Sequence, residues 1–340
     1  MTRAMSMDEV RVRIAEQRQN NEDVVLPMHE FFMSSDGLIR VKNSSQVYKM
    51  NDFSMTQAFN RLGIPVRYGK KLFEERPDLV ANEFNHWLSK DDKVVLFRNR
   101  RVDGTESVIR GFLSDSYAKF DDTDLVETLM ATGLGEKFGQ ALQFYADDKR
   151  LHLRFVMEKM EVVAGRTVTN LDDILNVGVD VVNSEVGASS LVLSPLVYRQ
   201  VCSNGLRAWR QSEDSSRFRH AYRTQQAFYT DVVESLDTAI RGGDGMIRQF
   251  LEAKNSDKFV QSPLDLIEEL TKDSIYSKET TEKIKDNYLI EPERNWFGIV
   301  NAVTRTARDL EDEKRMEMEQ FAGDLLGKYK TEYATFQKNA

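Results

Sequence analysis

The stretch from Ile174 to Val182 constrains the fold more than any other. Leu175, Val177, Val179 and Val181 alternate with Asn176, Gly178 and Asp180. A period of two places the apolar set on one face of an extended strand and the polar set on the other. Asn183 to Gly187 reads as a turn, and Leu191-Val192-Leu193 leads through Pro195 to Val197-Tyr198-Arg199. A β-hairpin of this kind needs a second layer over its apolar face, so the chain must supply one.

The rest of the chain sorts into strand-rich and helix-rich blocks. Residues 6–18 read as a short charged helix capped by Ser6 or Asp8, the main part of an N-terminal arm over 1–24, mobile or helical. Residues 35–50 suggest an early hairpin. Ser54 is a candidate cap for a helix ending at Gly63, and helices after Pro65 and Pro77 complete a helical insert over 51–90. Lys93 to Arg100 and Ser107 to Leu113 then form a strand pair around Val102–Thr105. A helix capped by Thr123 follows at 124–131. Strands 140–146 and 150–158 turn at Asp147-Asp148-Lys149. Beyond Arg217 the pattern is helical, over 217–240, 244–254, 263–273, 279–287 and 295–336, with Gly242-Gly243-Asp244-Gly245 expected as a helix end. Strands first and helices afterwards predict an α+β protein. Its central antiparallel sheet has about six strands between 93 and 200, flanked by the helical insert and a helical C-terminal part. The corresponding division is an α+β core domain over 25–215 and a helical region over 216–340.

Several function classes lack their signatures. His29, His86, His152 and His220 share no ligand spacing, and with the single Cys202 they define no zinc site. Gly133-x-Gly135 is fed by no strand and is not a dinucleotide fingerprint. No phosphate loop is present, so no cofactor and no metal is expected. A lone cysteine requires no oxidising compartment, no run approaches a membrane span, and the first residues lack a signal-peptide core. The reading is a cytoplasmic protein without a membrane partner.

Charge is more informative than motif. The chain of 340 residues carries a net charge of −8, yet residues 93–119 hold six basic side chains against three acidic, and residues 193–223 hold six arginines against two acidic. Both blocks interleave aromatics. Guanidinium groups neutralise phosphates and ring faces stack bases, so the pattern suits a single-stranded nucleic acid. The candidate contacts are Arg98, Arg100, Arg101, Arg110 and Tyr117 in the first block. In the second they are Tyr198, Arg199, Asn204, Arg207, Trp209 and Arg210. The competing expectation is that these arginines pair within the chain, because residues 224–340 hold 23 acidic and 16 basic side chains. A different class of function is a metal-dependent nuclease or phosphotransfer enzyme built on Asp115, Asp180 and Glu185. A third is a protein-binding inhibitor or adaptor that uses the charged C-terminal helix. A homo-oligomer and a host or phage protein partner both stay open.

Five motifs occur in a specific order: Gly63-Ile64-Pro65-Val66, Asn85-His86-Trp87-Leu88, Arg110-Gly111-Phe112-Leu113-Ser114-Asp115-Ser116-Tyr117, Asn183-Ser184-Glu185-Val186-Gly187, and Tyr198-Arg199-x-Val201-Cys202-Ser203-Asn204-Gly205. Over roughly residues 25–240 the chain resembles the phage/plasmid-like family, a domain of unknown function carried by bacteriophages and mobile elements. The family usually has Thr where this chain has Ser203. The resemblance brings no catalytic residue. It implies a setting among replication and recombination genes in a bacterial host, which favours the nucleic-acid reading.

One geometric expectation separates the readings. If 174–183 and 189–200 pair without interruption, the turn at Asn183–Gly187 and the turn at Ser203–Gly205 stand at opposite ends, roughly 30 Å apart for about ten residues. A break at Pro195 would bring Glu185 and Arg207 together.

Overall fold

A computed structural model describes residues 5–90, 92–133, 140–166, 170–200, 204–207, 216–218, 225–255, 260–272 and 276–339. The class is α+β, as expected, and the described strands divide between two sheets. The six-stranded sheet runs β2 (Asn21–Pro27), β6 (Val94–Arg101), β7 (Glu106–Ser114), β5 (Val47–Met50), β4 (Ile39–Val41) and β3 (Phe31–Met33). It is mixed, because β5 pairs parallel with β7 across the connection that holds the helical insert. That insert is α2 (Asp52–Leu62), α3 (Val66–Glu75) and α4 (Pro77–Leu88). Phe59 and Phe84 from these helices close over Phe31, Phe97 and Phe112 of the sheet to form one core.

The seven-stranded sheet is wholly antiparallel. Its order is β1 (Met5–Ser6), β8 (Gln140–Ala146), β9 (Leu151–Arg166), β10 (Asp172–Asn183), β11 (Leu191–Arg199) and β12 (Asn204–Arg207), with β13 (Ser216–Phe218) also on β11. Leu175, Val177, Val179 and Val181 of β10 are all buried, each contributing about 1.5–3 kcal/mol by leaving water. Pro195 does not interrupt β11, since it pairs with Val179 on β10. Its effect falls on the other edge. There β12 pairs with residues 196–199 and β13 with 191–193, leaving Ser194 and Pro195 between them. A residue without an N–H fits that gap.

Helices α1 (Met7–Arg18), α5 (Asp122–Ala131), α6 (Gln225–Lys254) and α9 (Trp296–Ala307) share the larger core with this sheet. The N-terminal segment is a packed helix. Ser6 and Glu9 make a capping box, and Val10 and Ile14 are fully buried. Asn51 caps α2 in place of Ser54, and Asp121 caps α5 in place of Thr123. In both cases the cap lies two or three residues before the expected residue, and Ser54 instead hydrogen-bonds the Ile109 carbonyl of β7 from inside the helix.

The C-terminal half departs from expectation at two places. Helix α6 runs unbroken through Gly242–Gly245. A Cβ on Gly243 would lie 2.6 Å from Val177 Cγ1, so the glycine serves close packing of helix on sheet and does not end the helix. Between α9 and α10 (Asp312–Asn339) the chain turns at residues 308–311, which splits the single long helix expected there. The remaining helices are α7 (Pro263–Lys272) and α8 (Lys278–Ile290).

Candidate functional site

The two sheets meet at a buried cluster of arginines and carboxylates. Its central feature is a β-bulge. Arg98 pairs with Gly111 and Asn99 with Ile109, so Arg110 is the extra residue on β7. Such bulges re-aim a side chain. Here the bulge turns Arg110 towards the β10–β11 turn, where its Nη2 donates to Glu185 Oε2 at 2.8 Å. Gly111 beside it lets the turn approach, since a Cβ there would meet Val186 at 2.9 Å.

Glu185 is shared by several elements. The Asp122 N–H at the start of α5 donates to Oε1 at 3.1 Å, and Arg18 Nε from α1 lies 3.3 Å from Oε2. Arg18 also donates to Asp122 Oδ2 at 2.5 Å, and Asn183 Nδ2 donates to Asp122 Oδ1 at 2.9 Å. Arg98 grips both Asp121 oxygens at 2.6 and 2.9 Å, reaches Asp23 at 3.0 Å and donates to the Glu185 carbonyl at 3.1 Å. Tyr117 donates its hydroxyl to the Ser184 carbonyl at 2.9 Å. These contacts tie α1, α5, strands β2, β6 and β7 of the six-stranded sheet and the hairpin turn to one another.

The environment divides the two central acids. Burial, followed by the nearby Glu185 charge, pushes Asp122 up to about 6. Burial also works against ionised Glu185, but Arg18, Arg110 and Arg98 outweigh it and hold that carboxyl below its ordinary value. Arg110 is shifted down by burial, only partly offset by Glu185. Its Nε and Nη1 have no hydrogen-bond partner, so this guanidinium is held by a single carboxylate.

Two further ionic clusters lie inside the other half of the molecule. On β9 and β10, Arg154 donates to Asp180 at 3.0 Å and makes a two-pronged contact with Glu319 of α10 at 3.1 and 2.5 Å. His152 approaches Asp180 at 3.1 Å. On β11, Arg199 bonds Asp173, Glu291 and Asn301, with Lys254 also on Asp173 at 2.6 Å.

The sequence-based candidates therefore separate. Arg98, Arg110 and Arg199 are at most 3% exposed and face carboxylates, so they are corrected from surface phosphate contacts to internal ion pairs. Strands this apolar are covered on both faces, and a charge within them must be neutralised in place. Tyr117 is also turned inward, with burial raising its hydroxyl above the ordinary range. Arg100 and Arg101 stay partly exposed and pair with Asp148 and Glu22. Tyr198 is partly buried. Asn204 and Arg207 begin and end β12, opposite Arg199 and Leu196. Trp209 and Arg210 lie outside the described residues, as do Cys202, Ser203, His220 and residues 134–139.

The carboxylates proposed for a metal enzyme do not converge. Asp180 sits with Arg154 and His152, Glu185 lies in the cluster between the sheets, and Asp115 is exposed. No group of three His, Cys, Asp or Glu able to hold a metal occurs among the described residues. Asp147 is a turn residue, accepting from the Lys149 and Arg150 amides at 2.7 Å each. The turn at 183–187 and Asn204 stand at opposite ends of β11, which separates Glu185 from the β12 end.

Sequence reasoning missed Arg18, Asp121, Asp122, Arg154 and Glu319. Arg154 alternates with apolar residues on β9, yet its side chain is buried and Glu319 of α10 meets it. No helix among the described residues is long and apolar enough to cross a membrane. Comparison of the chain with protein-family models, curated proteins and solved structures returned no match.

Proposed function

We propose that this chain is a non-enzymatic accessory protein that binds single-stranded DNA in phage or mobile-element replication or recombination, inside the bacterial host. Its contact surface is the segment from Asn204 to Arg223, not the whole set of arginines. The observation that carries the reading is the docking of both β12 and β13 on the outer edge of β11. Its described parts, Asn204–Arg207 and Ser216–Phe218, both pair with that edge. The segment carries Arg207, Arg210, Arg217, Arg219 and Arg223 against Glu213 and Asp214, with Trp209, Phe218 and Tyr222 interleaved. Cations with stacking rings are what a flexible, unpaired strand requires. Removing Arg98, Arg110 and Arg199 from the set leaves this density of charge intact. The motif resemblance supports the same setting.

The test is fluorescence anisotropy with a labelled single strand across a salt series. Binding should weaken with salt, with a log–log slope of about −0.7 per phosphate contacted. Arg207→Ala and Arg210→Ala should each flatten that slope, and Trp209→Ala should cost about 1–3 kcal/mol of affinity. Absence of binding at low salt, or binding indifferent to salt, would refute the proposal.

A further inference from the structure

Strand β2 forms the outer edge of the six-stranded sheet and, among the described residues, pairs only with β6. Two flanking hydrogen bonds fix which of its backbone groups face outward. Arg101 N donates to the Asn20 carbonyl at 2.8 Å, and Met28 N donates to the Lys93 carbonyl at 3.0 Å. The antiparallel register is continuous from Asn21 opposite Arg100 to Pro27 opposite Val94. Hydrogen-bonded pairs alternate along such a ladder. Glu22, Val24 and Leu26 therefore bond to β6. Asn21, Asp23, Val25 and Pro27 turn their carbonyls away from it, and the first three of these also present N–H groups. Asp23 and Val25 are the exposed residues of the strand, and Val25 is 48% exposed. A long open edge carrying an exposed β-branched residue is a template for another strand.

We propose that β2 docks on β2 of a second copy of this chain, antiparallel about a two-fold axis through Val24. The register follows from the pattern of donors and charges. With Val24 opposite its own counterpart, Val25 N meets the Asp23 carbonyl, Asp23 N meets the Val25 carbonyl, and Asn21 N meets the Pro27 carbonyl, each twice by symmetry. Pro27 supplies no donor and needs to supply none. Asp23 lies beside Val25 and Glu22 beside Leu26, so no two carboxylates stand opposite each other. A shift that sets Asp23 against Asp23 does the reverse, and like charges directly opposite are destabilising. An isologous contact of this kind closes as a dimer and joins the two six-stranded sheets edge to edge. The proposal is independent of nucleic-acid binding.

Sedimentation of the full chain over a concentration series tests it. Self-association should appear as concentration rises. Val25→Pro removes an outward donor in each copy while leaving every bond to β6, and should weaken the dimer by about tenfold or more. A register test stands beside it, in a Cys202→Ser background. Val24→Cys places two thiols on residues about 4.5 Å apart between Cα atoms, within disulfide reach, and should cross-link on oxidation. Leu26→Cys points to the same face, but its counterpart stands four residues away, so it should not cross-link. A chain that stays monomeric at every concentration overturns the proposal. So does a dimer unaffected by Val25→Pro whose Leu26→Cys cross-links as readily as Val24→Cys.

Discussion

Replacing Arg199 with alanine tests whether the ionic clusters hold the fold. The guanidinium is buried, bonding Asp173 at 2.6 and 3.1 Å, Glu291 at 2.8 and 3.1 Å and Asn301 at 2.6 Å. It also lies over the Phe297 ring, 5.4 Å from its centre. These contacts join β10 and β11 to helix α9 and to the residue that follows α8. Truncation leaves Asp173 with Lys254, and Glu291 with Asn301 and the more distant Arg305 at 3.7 Å. Removing one partner of a buried pair costs about 3–5 kcal/mol, because the remaining charge stays desolvated. At about 2–4 °C per kcal/mol for a large domain, the midpoint should fall by roughly 6–20 °C. The control is Arg101→Ala, which breaks an exposed pair with Glu22 and should cost no more than about 1 kcal/mol. Urea unfolding of the two variants and the parent supplies both values. A loss below about 1 kcal/mol for Arg199→Ala would show that Asp173 and Glu291 are hydrated, and would restore Arg199 to the surface set.

Two further outcomes follow from the helix-on-sheet packing and from the cluster between the sheets. Gly243→Ala should destabilise by about 1–3 kcal/mol despite its better helix propensity, because the new methyl meets Val177 at 2.6 Å. Gly245→Ala in the same helix meets nothing within 4 Å and should be neutral or stabilising by up to about 1 kcal/mol, so equal thermal shifts for the two would refute the close-packing account. Asp122→Asn tests the split between the acids. A carboxyl raised from 3.8 to about 6 binds its proton more tightly in the folded chain, so it withdraws stability as pH rises from about 4 through 6. Glu185, held low, has the opposite sign: its contribution is present above the ordinary glutamate range and is lost as pH falls through its lowered value. Unfolding free energies between pH 4 and 7 should therefore rise more steeply with pH in Asp122→Asn than in the parent. Identical slopes would refute the assignment.

The strands were legible because their signals are local. Alternation in Leu175–Val181 and the turn residues Asp147 and Gly187 act within a few positions, and the pairings they imply are those found. Gly63, expected to stop α2, does so in the left-handed conformation at φ 71°. The division into two sheets was not legible. Period-two patterning reports that a strand has a buried face but not which strand adjoins it, and β5 reaches β7 only across the helical insert. Gly243 was misread for a related reason. A glycine run marks a break when judged from the chain alone, and its use here depends on Val177, some sixty-six positions earlier.

The arginines carry the sharper lesson. Local charge summation gave two basic blocks, but the buried arginines find their carboxylates outside those blocks: Arg98 with Asp23 and Asp121, Arg110 with Glu185, and Arg199 with Asp173 and Glu291. A charge sum confined to each block does not count these partners. A different local signal was present. Arg98 follows Val94-Val95-Leu96-Phe97, and Arg110 stands between Val108-Ile109 and Gly111-Phe112-Leu113. A strand apolar at consecutive positions is covered on both faces. An arginine inside it must then be desolvated, and a desolvated charge needs a counter-charge. By the same criterion Arg207, Arg210 and Arg217 differ. Their neighbours are Leu206-Ala208-Trp209 and Ser215-Ser216-Phe218, interrupted by Gln211, Ser212, Glu213 and Asp214. The sequence there holds no run of consecutive apolar residues like those around Arg98 and Arg110. Nucleic-acid affinity should accordingly fall when this segment is neutralised while the unfolding free energy stays within about 0.5 kcal/mol of the parent, as for surface substitutions generally. A loss of stability as large as that of Arg199→Ala would place these arginines in the interior as well, and would remove the remaining surface on which the binding proposal rests.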